Sequence, residues 1–519
     1  MSDKQKNFLK STLGTAFATF ISRILGLIRV MLESRVLGGG TVASAWGFAF
    51  TIPNMFRRIF GEGALGTALI PILVQLEAQE GIEKTRKNLG IVFTFLSLIL
   101  AIIVLLISVI AIICEKFVTT EHIKLGLKLL PILMPYAFFI CLVGVAQAIL
   151  NCRKVFVLPA YGALILNFML ISTLGLLAYW QKDWKFVLDS LSTMVLAAGV
   201  IHLALMIILM KYYRIFPDFK FSEIAKKPIL MTIYKKTLPG IIGGSVLQLS
   251  LLIDRFLAMF IGTEALPAMT YTERIVYLPI GIVAISFGSV LQVNMAKSVA
   301  AKNNQEIIDD LIFGLRHVFF LCVPLTFFIL LFRYDIIISL FYSGNFTMNN
   351  VQATAWAMLF YSLGICFFCT LKLVTPLFFS RGDMVTPLKS SIAVLIFNAI
   401  LSFTLMFPMQ QGGIALATAI SSLANNAILL WIFSKQCFPI PLKRTLNALV
   451  KALIATLIAL NIYWASRMFD LASYSQAIRF VILIAEAGVF GIIYLGSSAL
   501  LKNQELSELF NHLLRRRKK

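Results

Sequence analysis

Residues 89–114 read LGIVFTFLSLILAIIVLLISVIAIIC, a run without a single charged side chain. A helix needs about 20 apolar residues to cross the hydrocarbon core of a bilayer, so this run is long enough to cross as one continuous helix. Working outward from it, the same criterion gives fourteen spans: 8–34, 43–75, 89–114, 128–150, 158–180, 186–210, 229–260, 265–296, 311–332, 351–379, 387–407, 412–434, 446–466 and 476–501. The chain as a whole fits this reading, with 59% apolar and 13% charged residues among 519. No soluble fold hides that much apolar surface. The fold class expected is an all-α polytopic membrane protein. The polar start of the chain runs into the first span past Arg23 and Arg29 with no small-residue cleavage site, so a retained helix is expected in place of a removed signal peptide.

The formal charge of +22 is unevenly placed. With the N-terminus in the cytoplasm, 30 of the 46 Lys and Arg fall on the cytoplasmic side, eight on the opposite side and eight inside the spans. Basic loops resist translocation, so this bias sets the orientation and places both termini inside. The basic residues are separated by apolar stretches instead of being gathered on a polar domain, which disfavours nucleic acid as a partner. Seven Cys lie mostly in apolar runs, and Cys366 and Cys369 read as packing residues in a span. Of four scattered His, His202 lies in span 6 and is expected to be a hydrogen-bonded packing residue.

An internal repeat appears at a constant offset of 226 residues. Lys10, Gly14, Arg29 and Pro53 recur as Lys236, Gly240, Arg255 and Pro279, matching span 1 to span 7 and span 2 to span 8. Six spans per copy bring the second copy in from the same side. The expectation is two parallel six-helix lobes related by an axis along the membrane normal, with a cavity between them. The domain boundaries expected are 1–214 for the first lobe, 215–228 for a basic cytoplasmic linker, 229–434 for the second lobe and 435–519 for spans 13 and 14 with a basic tail.

With span limits approximate to several residues, and after the loops and their flanks are counted, eight basic residues remain in apolar spans: Arg23, Arg29, Arg35, Arg57, Arg58, Arg255, Arg274 and Lys372; the acidic ones are Glu33, Glu62, Asp254, Glu273 and Glu486. Each buried cation costs about 2.5–3.5 kcal/mol on insertion scales, on the order of 20 kcal/mol for the set. Most of them therefore face water, a partner or a ligand. Glu33 and Arg35 lie at a span end and are expected to snorkel to the interface. Asp254 with Arg255, and Glu273 with Arg274, read equally as structural ion pairs across spans 7 and 8 or as substrate contacts. In span 1, Ser22, Gly26 and Arg29 fall within about 60° of one another at 100° per residue. Arginine grips phosphate through a planar fork and stays charged in a low dielectric, so Arg23, Arg29, Arg57 and Arg274 suit a phosphate or pyrophosphate. No Walker-type Gly-rich loop and no His-Glu-x-x-His metal site occurs. A transporter is expected, not an enzyme, without a cofactor and driven by membrane potential or an ion gradient.

Ser22-Arg23-Ile-Leu-Gly26-Leu-Ile-Arg29 and Ile52-Pro53-Asn54-Met-Phe-Arg57-Arg58-Ile-Phe-Gly-Glu62-Gly63-Ala64 closely resemble the MurJ (MviN) lipid II flippase family of the MOP exporter superfamily. Further matching text is Tyr271-Thr-Glu-Arg274, Gly344-Asn-Phe346-Thr347, Lys372-Leu-Val-Thr-Pro376 and Ser380-Arg381-Gly-Asp383. The resemblance runs from span 1 to about span 12. It implies fourteen helices, a central cationic cavity for the headgroup of lipid II, a lipid-tail groove formed by spans 13 and 14, and rocking between inward-open and outward-open states. It further implies that Arg23, Arg29, Arg57 and Arg274 are the cavity arginines and that Ser22, Gly26 and Glu62 are sensitive motif positions, with Arg58, Asp254, Arg255, Glu273 and Lys372 in support. Val30 and Ser44 stand where relatives commonly carry acids, which puts carboxylate-based ion coupling at those positions in doubt.

The function expected is ATP-independent flipping of lipid II from the cytoplasmic to the periplasmic leaflet of the bacterial inner membrane. The partners expected are membrane lipids and the cell-wall synthesis machinery, and the chain is expected to be monomeric. The alternatives are a flippase for another polyprenyl-diphosphate saccharide, a cation-coupled MATE-like exporter, or an inactive scaffold. The surplus of arginine over acid disfavours the last two.

Overall fold

The computed structural model describes residues 21–509 except 62–63, 154, 163, 181–182, 220–244, 247, 302, 437–440, 442 and 467–469. Lys10, Gly14, Glu62, Lys236, Gly240 and Cys437, together with the start of span 7 and most of the basic linker, lie outside the described residues. Every described regular element is helical. The chain divides into two compact units, residues 1–259 and 260–519.

The first unit contains α1 (21–37), α2 (Thr41–Phe56), α3 (Ala64–Phe117), α4 (Glu121–Cys152), α5 (Val157–Gly162), α6 (Leu164–Trp180), α7 (Trp184–Tyr212) and most of α8 (248–261). Local chemistry sets several of these boundaries. α1 stops at Gly38, whose φ of 73° is the left-handed conformation glycine tolerates and whose N–H donates back to Ser34 at 2.9 Å. Pro53 inside α2 offers no N–H, and the helix widens immediately afterwards into a π turn, Arg57–Gly61. Gly81 breaks α3 with non-helical angles, separating its first part from the long apolar run that was read first. That run turns Leu98, Ile102, Leu105, Leu106 and Ile110 outward, as a lipid-facing helix requires. α4 is the central helix: Leu133, Met134, Ala137, Cys141, Val145, Ala146 and Ile149 are fully buried against α2, α3 and α7.

The second unit contains α9 (Ala265–Ala300), α10 (Asn304–Leu331), α11 (Arg333–Phe341), α12 (Met348–Ser362), α13 (Ile365–Ser380), α14 (Val385–Met409), α15 (Gln411–Gln436), α16 (Lys443–Ala459), α17 (Ile462–Ser466) and α18 (Gln476–Leu500). α9 packs on α10, α12 and α13, and α16 lies on α10 and α18. The described part of each of the fourteen expected spans falls on helices; residues 8–20 of span 1 and 229–244 of span 7 lie outside the described residues. Among the described residues, nine helices are long and apolar enough to cross a membrane, or ten if α12 and α13, bent by 42° at their junction, count as one. α1, α2 and α8 carry too few described helical residues to qualify alone.

Two motifs quoted for the family resemblance serve the fold directly. In Gly344-Asn-Phe346-Thr347, Gly344 takes φ 58°, Phe346 is buried against Tyr271 and Phe341, and Thr347 forms a capping box with Asn350 at the start of α12. In Ser380-Arg381-Gly382-Asp383, Gly382 takes φ 78° and Asp383 accepts from the N–H groups of Val385 (3.0 Å) and Thr386 (2.9 Å), opening α14.

Candidate functional site: a cationic face on α1, α2 and α8

The polar sector of α1 is built as its spacing predicts. Gly26 is buried, and Asn167 of α6 donates to the backbone carbonyl of Ser22 at 3.3 Å and to its hydroxyl at 3.5 Å. Arg29 is only 5% exposed. Its Nε lies 3.5 Å from Glu33 Oε1, and its guanidinium carbon sits 5.7 Å from the centroid of the Phe50 ring on α2. Phe50 is itself stacked on Trp46 at 5.5 Å. A buried cation held by one carboxylate and one aromatic face is both neutralised and fixed in direction.

Glu33 is thus buried and paired, not snorkelling as expected from its place near the span end, whereas Arg35 is exposed. The i,i+4 spacing of Arg29 and Glu33 is the signal for that pairing.

α2 carries the next contacts. Thr51, adjacent to Phe50, accepts a hydrogen bond from Arg255 Nη1 of α8 at 2.7 Å. Arg29 and Arg255, the pair related by the 226-residue offset, are therefore received by consecutive residues of one helix. Asp254 is buried beside Arg255. One turn further on, Arg57 Nε donates to Asn54 Oδ1 at 2.9 Å, and Arg57 and Arg58 open the π turn half-buried. Arg23 is exposed. Val30 and Ser44 are both buried, Ser44 donating to the Met259 sulfur at 3.5 Å. An acid at either position would be a buried charge, and neither position carries one.

In the second unit, Glu273 is buried and Arg274 half-buried on α9. The residues before them fasten that helix: Tyr271 packs on Phe341 and Phe346, and Thr272 donates to the Thr354 carbonyl at 3.2 Å. Lys372 on α13 is exposed. His202 is buried against Gly162, and its Nε2 has no hydrogen-bond partner among the described residues. It packs as expected, though without a hydrogen bond at that nitrogen.

Sequence reading missed Arg479. It is buried at the start of α18, where it donates to the carbonyls of Tyr474 (2.7 Å), Tyr342 (2.8 Å) and Ala472 (3.1 Å) and lies over the Tyr342 ring. It lies within span 14, yet it is absent from the intramembrane charges expected from the sequence.

Residues 34–484 match the family model described as lipid II flippase MurJ. The chain belongs to the MurJ family. The "Probable lipid II flippase MurJ" of Buchnera aphidicola subsp. Baizongia pistaciae is 31% identical over 488 residues, covering 92% of this chain and 93% of that protein. Among solved structures, one described as "Lipid II flippase MurJ, inward closed conformation" aligns with TM-score 0.77 at 24% identity, covering 94% of this chain and 98% of that one. An inward-facing multidrug resistance MATE transporter of the MOP superfamily aligns with TM-score 0.65 at 14% identity, covering 82% and 99%. The MurJ fold is thus shared nearly end to end, and the helical fold is similar to that of the MATE transporter.

Proposed function

We propose that this MurJ-family protein is a lipid II flippase of the bacterial inner membrane, carrying the polyprenyl-diphosphate-linked peptidoglycan precursor from the cytoplasmic to the periplasmic leaflet without ATP. Family membership over residues 34–484 carries this reading. The chemistry of the arginines supports it: a diphosphate needs fixed cations, and Arg29 is held in place by Glu33 and Phe50. In this reading Arg23, Arg29 and Arg57 of the first unit and Arg274 of the second neutralise the diphosphate, with Ser22, Gly26, Arg58, Glu62, Asp254, Arg255, Glu273 and Lys372 in support. Both termini are cytoplasmic, as the excess of basic residues on that side supports. Membrane potential or an ion gradient supplies the driving force, the protein acts as a monomer, and it works beside the cell-wall synthesis machinery.

Depletion in the host, followed by measuring which leaflet accumulates lipid II, tests this function. Accumulation in the cytoplasmic leaflet, reversed by re-expression, is expected. An unchanged leaflet distribution overturns the reading. Accumulation of a different polyprenyl-diphosphate saccharide would reassign the substrate.

A further inference from the structure

The second unit carries a cleft of ≈ 620 Å³, lined by the α8–α9 connection, the first turns of α12 and the α14–α15 junction. That size suits a small molecule of one to two rings. Its polar side chains are Thr263, Glu264, Asn349, Gln352, Gln410 and Gln411, with Trp356 beside them. Neither Lys nor Arg lines it.

Three observations set this cleft apart from a mere gap between loops. Trp356 is 42% exposed, yet its ring is held by a hydrogen bond from Nε1 to the Met409 carbonyl at 2.8 Å, so it offers a fixed aromatic surface. Gln411 is buried and fastens the rim by donating to the Ala353 carbonyl at 3.1 Å. Gln410 takes φ 52° and ψ −136°, a conformation that favours glycine, although two glycines follow at 412 and 413. A side chain kept where glycine is less strained points to a use for that side chain.

The lining selects among ligands. Glu264, its one carboxylate, already accepts from Asn350 at 3.2 Å, which leaves no ligand set for a divalent cation. With no lining cation, phosphates and peptide carboxylates find no counter-charge. Exposed carboxamides on Asn349, Gln352 and Gln410 each offer donor and acceptor together. Paired donors and acceptors beside a rigid aromatic face suit a neutral ring with one apolar side, hydroxyls and an amide. We propose that this cleft binds an N-acetylated hexosamine. In the orientation set by the basic residues, this end of the unit faces outward, where such a sugar comes from glycan or from a lipid-linked precursor. The binding chemistry does not depend on the flippase reading.

The test titrates the full-length protein in detergent with the disaccharide of N-acetylglucosamine, and in nanodiscs with its polyprenyl-linked form, following binding by calorimetry. Saturable binding is expected, weakened about tenfold or more by Gln352→Ala and by Trp356→Ala. Gln410→Gly is expected to weaken binding while raising the melting temperature, which separates a lost contact from lost folding. Binding of the free disaccharide marks glycan as a source, and binding of only the lipid-linked form marks the precursor. The proposal is overturned if neither form binds, if all three variants bind as well as the parent chain, or if cellobiose, which lacks the acetamido groups, binds equally. A chain that binds the sugar yet moves no lipid II keeps the cleft and loses the flippase reading; the reverse outcome loses the cleft alone.

Discussion

Arg255 donates from Nη1 to Thr51 Oγ1 at 2.7 Å, joining α8 to α2 within the first unit. Thr51 is buried, so Thr51→Val keeps the shape and removes the acceptor. A lost hydrogen bond to a charged group costs about 1.5–3 kcal/mol. Thr51→Val is expected to lower the melting temperature in detergent and to reduce complementation of a depleted strain, while Thr51→Ser retains both. Equal behaviour of the two variants would remove this bond from the account.

Arg29 rests between Glu33 and Phe50. Arg29→Ala leaves Glu33 buried without that partner and is expected to abolish complementation at normal membrane expression. Arg29→Lys keeps the charge beside Glu33 but loses the planar fork, so expression near normal with activity reduced tenfold or more is expected. Full complementation by Arg29→Ala would sink the diphosphate assignment.

The start of the inter-lobe linker is clamped to α3. Arg86 pairs with Asp218 at 2.8 Å and donates from Nε to the Phe216 carbonyl at 2.9 Å, while Phe219 packs edge-on against Phe93. A Cβ at Gly90 would stand 1.9 Å from the Asp218 carbonyl oxygen. Gly90→Ala must therefore push the linker away, at a cost of about 1–3 kcal/mol. Faster hydrogen exchange over residues 214–219 is expected, and unchanged protection there would show the clamp to be dispensable.

Gly162 faces His202 so closely that a Cβ would lie 2.2 Å from Nε2. Gly162→Ala is expected to destabilise the unit by about 1–3 kcal/mol, and His202→Ala in the same chain to recover much of the loss. A double-mutant cycle in thermal unfolding reads the coupling. Additive losses would mean that the two residues do not meet.

Asp383 gives a pH dependence outside the spans. Burial works to raise its carboxyl, but hydrogen bonds from Thr386 and Val385 and the charge of Lys389 outweigh that and hold it below the usual carboxylate range. A depressed folded value means that the cap stabilises α14 above the unfolded carboxylate value of about 4. That stability is lost as pH falls through the folded value. Exchange protection at the first turn of α14 is expected to fall on acidification, and Asp383→Asn to flatten the dependence. The same acid sensitivity in Asp383→Asn would assign the effect elsewhere.

Helix placement was legible because a bilayer imposes a length on apolar runs, and the described part of each expected span falls on helices. The offset between Arg29 and Arg255 was legible too, and in the structure consecutive residues, Phe50 and Thr51, receive the two side chains. What sequence could not supply was partnership across distance. Glu33 looked interfacial by its position along the span, yet it turns inward to Arg29. Arg479, though within span 14, showed no partner because backbone carbonyls leave no mark in a sequence. The Asp218–Arg86 clamp joins positions 132 residues apart, and no local pattern announces it.

The anchoring of α18 has a mechanical meaning. At one end Arg479 is tied to the carbonyl of Tyr342, just beyond α11. Just past the other end, Arg316 of α10 grips Glu505 at 2.6 Å. Between these moorings α18 leaves Val481, Ile484 and Ile492 facing outward. A rod tethered at both ends to separate helices neither slides nor rolls easily, so whatever packs on that apolar outer face meets a rail of set length instead of a yielding wall.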